Sequence, residues 1–247
     1  MRPVEKAKVG DILVYHNTND EDVELEVLRD YDNYGDAKNP LMANLGRYCS
    51  YCENDKDEED LSVEHVSAKS KGGSESAWKN FLLCCKVCNS VKSVKEIDAD
   101  NCHLPHINNT FLSLRYEKGG RVMVNDKLTG VSLEKASELY ETLKLGRYPQ
   151  TNECPTGRDS RWKNRLEVWN EAEDLKKKYE LSQLSTDVIV ERAKEKGCWS
   201  VWFTVFKGCD ELRKALIKGF DGTCASCFDA ANHYEPVERN PGREDPV

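Results

Sequence analysis

Apolar residues recur at helical spacing through the second half of the chain. Between residues 158 and 179 they fall at Trp162, Leu166, Trp169, Ala172, Leu175 and Tyr179, one face of a helix. With leucines among the tryptophans, this stripe reads as core packing and not as a base-stacking surface. Further helices are predicted from Ser132, taken as N-cap, to about Lys144, and from Thr186 to Lys196, stopped by Gly197. A last helix runs from Asp210, also taken as N-cap, to about Phe220. Arg115 to Val124, broken by Gly119-Gly120, reads as a hairpin. The bulky run Cys198 to Phe206 is a buried strand or the start of a helix. Residues 1–48 are polar and mixed, with an acidic patch at Asp20, Glu21, Asp22, Glu24 and Glu26, and a short helix is expected between Gly35 and Gly46.

The chain has 247 residues, room for one or two compact domains with a real core. No stretch approaches the roughly 20 apolar residues that span a bilayer. The N-terminus, Met1-Arg2-Pro3-Val4-Glu5-Lys6, is not followed by the apolar run of a secretory signal. A cytoplasmic location is therefore expected, and eleven cysteines there point to metal and free thiols. The formal charge of −8 argues against binding nucleic acid by bulk attraction.

Five cysteines lie between residues 49 and 88. Cys49/Cys52 and Cys85/Cys88 form two Cys-x-x-Cys pairs separated by 32 residues. Each pair makes a tight knuckle, and two knuckles supply four thiolates in a tetrahedron around Zn²⁺, a closed structural site. Either Cys84 or Cys85 can partner Cys88; the two-residue spacer favours Cys85. Between the knuckles stands Glu64-His65, in the alternating segment Leu61 to Val66. Neighbours on a flat strand point to opposite faces, so a strand end or bend is needed to aim both at one site.

Cys-x-x-Cys, Glu64-His65, Ser70 to Gly73, Asn80-x-Leu82, Cys-x-x-Cys-Asn89 and Lys92 together resemble the HNH endonucleases over about residues 47–96. The resemblance implies a ββα-metal core, with strands near 61–66 and 81–84 and a helix from about Asn89, embedded in an α+β, mostly helical fold. It implies that Glu64 and Asn89 hold a catalytic Mg²⁺ or Mn²⁺. His65 would be the general base, Asn80 would orient the histidine loop, and Cys49, Cys52, Cys85 and Cys88 would bind structural zinc. Ala68 stands where proline is common. The chemistry agrees: a hard cation takes oxygen ligands and neutralises a phosphate, and a neutral imidazole accepts a proton near neutral pH. One carboxylate in the motif provides for one metal. The expected organisation is an N-terminal segment (1–46) packed on the nuclease core, the core itself (47–96), and a helical C-terminal region (97–247).

Local charge differs from the total. Val66 to Lys95 holds six lysines and one acid, Glu75, while Glu53 to Glu64 holds seven acids and one lysine. Lys69, Lys71, Lys92 and Lys95 are candidate contacts to nucleic-acid phosphates, the last two following Asn89 along the expected helix. Cys224 and Cys227, with His233 and either Cys198 or Cys209, are a weaker candidate for a second metal. Cys102, His103 and His106 read as local structure. The expected function is a metal-dependent DNA endonuclease; the alternatives are an RNA-cleaving enzyme and a non-catalytic zinc module. Arg2-Pro3-Val4, Gly46 to Glu53, Trp78 to Leu83 and Ser200 to Phe206 further resemble the nuclease subunits of Septu-type antiphage systems, which implies an ATPase partner.

Overall fold

A computed structural model describes residues 1–16, 21–93, 95 and 97–247; Asp20 of the acidic patch and the expected boundary at residue 96 lie outside them. The fold is α+β and mostly helical, with four two-stranded antiparallel sheets among the described residues. In chain order come β1 (Ile12–His16) and β2 (Asp22–Glu26), α1 (Lys38–Leu45), β3 (Leu61–His65), β4 (Phe81–Cys85), and α2 (Lys86–Lys92). Then follow α3 (Thr110–Ser113), β5 (Leu114–Glu117), β6 (Arg121–Val124), α4 (Gly130–Thr142), α5 (Arg161–Glu180), α6 (Thr186–Lys196), α7 (Trp199–Val205), α8 (Asp210–Gly219), β7 (Phe228–Asp229) and β8 (Glu235–Pro236). No helix among the described residues is long and apolar enough to cross a membrane.

Several sequence expectations shift when tertiary contacts are present. The run 198–206 is a helix, α7, which buries Trp199, Val201, Trp202 and Phe203 almost completely. Each indole nitrogen donates to a backbone carbonyl, Trp199 to Leu216 at 3.0 Å and Trp202 to Gly197 at 3.0 Å. Ser132 is no cap: α4 begins two residues earlier, and the Ser132 hydroxyl donates inside to Asp245 at 2.8 Å. The cap position of α8 is Cys209, with Asp210 its first residue. Along α5 the tryptophan stripe is only half-buried; the innermost line is Arg161, Arg165, Val168 and Ala172. The β1–β2 hairpin has no counterpart in the sequence reading.

One core draws on residues from all three expected segments. Its polar centre is Glu53, directly after Cys52 and 5% exposed. The Glu53 carboxylate accepts from the Arg2 backbone N–H, from the Ser200 hydroxyl at 2.6 Å and from the Ser200 backbone N–H at 3.2 Å, and the Met1 amino group lies 3.9 Å away. It therefore sits at the N-terminus of α7, where exposed N–H groups favour an anion. Glu53 holds φ at 63°, a left-handed conformation costing a residue with a Cβ roughly 1–3 kcal/mol, so its surroundings must impose it. The end of α6 closes on the same point. A Cβ on Gly197 would lie 2.5 Å from the Glu53 carbonyl oxygen and the Asp55 nitrogen, so only glycine lets the two backbones meet.

Replacing Glu53 leaves several buried donors without an acceptor. Glu53→Ala is predicted to lower stability by about 3–5 kcal/mol, read from the urea midpoint. Lys163→Ala, which removes an exposed pair with Glu167, should change it by less than about 1 kcal/mol. Equal effects would contradict a hub at Glu53.

Candidate active site and metal centre

The first knuckle precedes β3 and the second joins β4 to α2, so pairing β3 with β4 brings the two together. The register aligns Leu61 with Cys85 and His65 with Phe81. The sulfurs of Cys49, Cys52, Cys85 and Cys88 are all buried and lie within 4.8 Å of one another, with Cys52 and Cys85 3.8 Å apart. Sulfurs about 2.3 Å from a central zinc are about 3.8 Å apart, so the cluster can hold that ion. Burial pushes the Cys49 thiol well up, while bonds from Cys49, Cys52 and Cys88 pull Cys85 down. Four such groups ionise together only around a cation. Arg161 of α5 approaches from the C-terminal region and donates to the Cys88 sulfur at 3.5 Å. Its guanidinium also binds Asp159 at 2.7 Å and the Leu143 carbonyl at 2.8 Å, which ties α4 and α5 to the cluster.

Cys84, the alternative to Cys85, lies outside the four-sulfur set although its thiol neighbours Cys49, and it donates to the Cys85 carbonyl at 3.4 Å. Among the described residues, the Cys49/52/85/88 set is the only group of three or more clustered ligand atoms. Cys224 and Cys227 therefore gain no third ligand. His233 pairs with Asp210 at 2.7 Å, and the Cys198 thiol meets Asn54 at 3.2 Å. His103 is held by Ser113 at 2.7 Å and Asp245 at 3.0 Å, in keeping with a structural role.

Asn80 organises the loop after β3. Its Oδ1 accepts from the Ser67 N–H at 2.9 Å, and its Nδ2 donates to the Ser67 carbonyl at 3.0 Å and the Ser74 carbonyl at 2.7 Å. Three bonds from one side chain clamp both ends of the loop. Gly73 is needed at its closure, because a Cβ there would sit 1.9 Å from the Ser67 oxygen. Ala68 has φ −62° and ψ 140°, backbone angles that proline also adopts, so its difference from the common residue leaves the loop path intact. A cleft of about 840 Å³ opens beside the loop, lined in part by Ser67, Gly73, Ser74, Lys79, Asn80 and Lys8.

His65 ends β3, the strand-end position that the sequence reading called for. Its Nε2 lies 3.0 Å from the Glu75 carbonyl, and its ring stands edge-on to Tyr34 and Phe81 at 4.9 and 5.1 Å. A carbonyl only accepts, so Nε2 carries the hydrogen and Nδ1 is left as the basic nitrogen. Tyr34 and the Glu75 carbonyl were not visible as site components in the sequence; neither has a spacing signature.

Glu64 leaves the other face of β3, toward α2. It is 5% exposed, and burial pushes its carboxyl above the ordinary carboxylate range while Lys92 pulls it back. Lys92 departs from expectation: it is 2% exposed, its Nζ 2.6 Å from Glu64 Oε1 and donating to the His65 carbonyl at 3.0 Å. It is not a surface lysine. The helix α2 also starts at Lys86, not Asn89, and stops at Lys92, so Lys95 is exposed but lies beyond it. Asn89 is exposed, one turn before the buried Lys92 on α2. Glu64, the His65 carbonyl and Asn89 offer hard oxygen donors of the kind a divalent cation takes, and the Lys92 ammonium contacts the first two.

The basic block is partly neutralised. Lys69 pairs with Glu75 and lies 4.3 Å over the Tyr34 ring, and Lys86 pairs with Asp60 at 2.7 Å. Lys71, Lys79 and Lys95 are exposed and form no ion pair among the described residues.

Residues 49–102 match the family described as HNH endonuclease. The match takes in the four clustered cysteines, Glu64, His65, Asn80 and Asn89, and suggests a nuclease with a nucleic-acid substrate. No curated protein matches the chain.

Metal analysis is predicted to find about one zinc per chain. Cys88→Ser should lose it, whereas Cys84→Ser and Cys224→Ser should retain it. Loss of zinc from either control would redraw the ligand set.

Proposed function

We propose that the chain is a metal-dependent endonuclease that hydrolyses phosphodiester bonds in DNA. The observation that carries this reading is the Asn80 clamp on the loop following His65, on the strand that also presents Glu64. A merely structural zinc module does not need Glu64, His65, Asn80 and Asn89 all together.

In this reading Glu64 and Asn89 hold a divalent cation, which when bound neutralises charge on the scissile phosphate and on the leaving oxygen. His65 supplies the base. With Nε2–H held by the Glu75 carbonyl, Nδ1 accepts the proton of the attacking water, and Phe81 and Tyr34 fix the plane of the ring. Asn80 keeps the loop from drawing the imidazole out of line. Lys71, Lys79 and Lys95 are the exposed cations available to flanking phosphates.

The wider resemblance to antiphage nucleases extends the proposal to a partner ATPase. The segments carrying it include Arg2, Glu53 and Ser200, which meet one another in the core. That placement makes them marks of a shared fold before they are marks of a shared partner.

The test is cleavage of supercoiled plasmid and structured RNA with Mg²⁺ or Mn²⁺, comparing wild type with His65→Ala and Glu64→Gln. Plasmid cleavage by wild type is expected, with a loss of roughly 10²–10⁴-fold in His65→Ala. Equal activity of wild type and His65→Ala would overturn the assignment; cleavage confined to RNA would move it to that substrate.

A further inference from the structure

Lys92 is the one residue of the expected phosphate-binding set that faces inward. A buried acid–lysine pair is a costly way to stabilise a fold, because desolvation of both charges offsets most of their attraction. Apolar residues of similar size serve packing as well. The pair lies at a functional place: the ammonium contacts the Glu64 carboxylate at 2.6 Å and accompanies it with a bond to the His65 carbonyl at 3.0 Å. These oxygens belong to the two residues on which the proposed centre is built.

The lysine also stands at a helix end. α2 ends at Lys92, and Ser93 turns the chain with φ 51°, so the four-carbon stem leaves from the last residue of the helix, not from its middle. Two cations cannot share one buried carboxylate at full strength. Competition of this kind is a negative coupling, and such couplings commonly amount to roughly 5–150-fold.

We propose that Lys92 is a resident counter-ion of the divalent-cation centre: without a divalent cation its ammonium neutralises Glu64 and caps the His65 carbonyl, and a divalent cation enters by displacing it. This rests on the reading of Glu64 as a metal ligand. It makes Lys92 a positioning residue that holds the centre preformed and raises the cation concentration needed to fill it. It also reconciles the sequence with the structure, since displacement turns a buried lysine into a free ammonium beside the bound backbone.

Two measurements on the full chain test it without reference to cleavage. In the first, wild-type protein is acetylated with a lysine-reactive ester with and without saturating Mn²⁺, and labelling is read by mass spectrometry. Lys92 should be protected without Mn²⁺ and gain reactivity by about tenfold or more with it, while Lys71 and Lys95 react alike in both. In the second, Mn²⁺ binding is titrated by the loss of free-ion EPR signal in wild type, Lys92→Met and Glu64→Gln. Lys92→Met should bind on the order of tenfold more tightly and gain more thermal stability from Mn²⁺ than wild type does. Lys92 that stays protected while Mn²⁺ binds in a Glu64-dependent way overturns the counter-ion proposal alone. Mn²⁺ binding that Glu64→Gln leaves unchanged overturns the reading of the centre beneath it. Should Lys92→Met fail to fold, the labelling of wild type decides.

Discussion

Four buried thiols within 4.8 Å of one another cannot all ionise without a cation among them, and the rest of this structure depends on that constraint. The cluster joins the segment before β3 to the junction of β4 and α2, so it fixes where a short hairpin and a seven-residue helix sit against each other. Neither would be stable alone: an isolated two-stranded hairpin is marginal, and so is a helix of two turns. Glu53, next to the first knuckle, carries the same order to the N-terminus and α7. Arg161 carries it to α4 and α5 through the Cys88 sulfur. The nuclease-like unit is thereby built into the middle of one core, with residues from before and after it packed around.

On that frame the site divides its labour across β3. One face and the strand end offer an imidazole whose tautomer is set by a backbone carbonyl, backed by two aromatic rings and a clamped loop. The other face offers a buried carboxylate whose charge is met by Lys92. Strand geometry separates the side chains of adjacent residues, and the strand's end reunites them through the His65 carbonyl. In the proposed reading, that is how Glu64-His65, an awkward dipeptide for a flat strand, would serve one centre.

The parts legible in the sequence were those set by short spacing. Cys-x-x-Cys knuckles, the 115–124 hairpin and the Gly197 stop each follow from local backbone geometry, and the choice of Cys85 over Cys84 followed from the same two-residue spacer. What was hidden depends on distant partners. Ser132 looked like a cap until Asp245 claimed its hydroxyl; Lys92 looked like a phosphate contact, and Arg161 and Arg165 drew no reading at all, yet distant residues take all three inside. Charged residues at helical spacing carry no mark of burial. The β1–β2 hairpin was masked for another reason: Asp22-Val23-Glu24-Leu25-Glu26 alternates as a strand should, but its acids dominate the reading. The charge of −8 misled in the same way, as an average over an exposed acidic hairpin and a basic block already half neutralised by its own acids.

The central claim is that a divalent-cation centre at Glu64 stands beside the His65 base and is held in place by the four-cysteine cluster. Anomalous diffraction from crystals grown with Mn²⁺ addresses it directly, with data at the zinc and manganese edges. The account predicts a zinc peak among Cys49, Cys52, Cys85 and Cys88, and a manganese peak in contact with Glu64 and Asn89, with the Lys92 ammonium turned away. Manganese bound elsewhere, with Lys92 still covering Glu64, would contradict it.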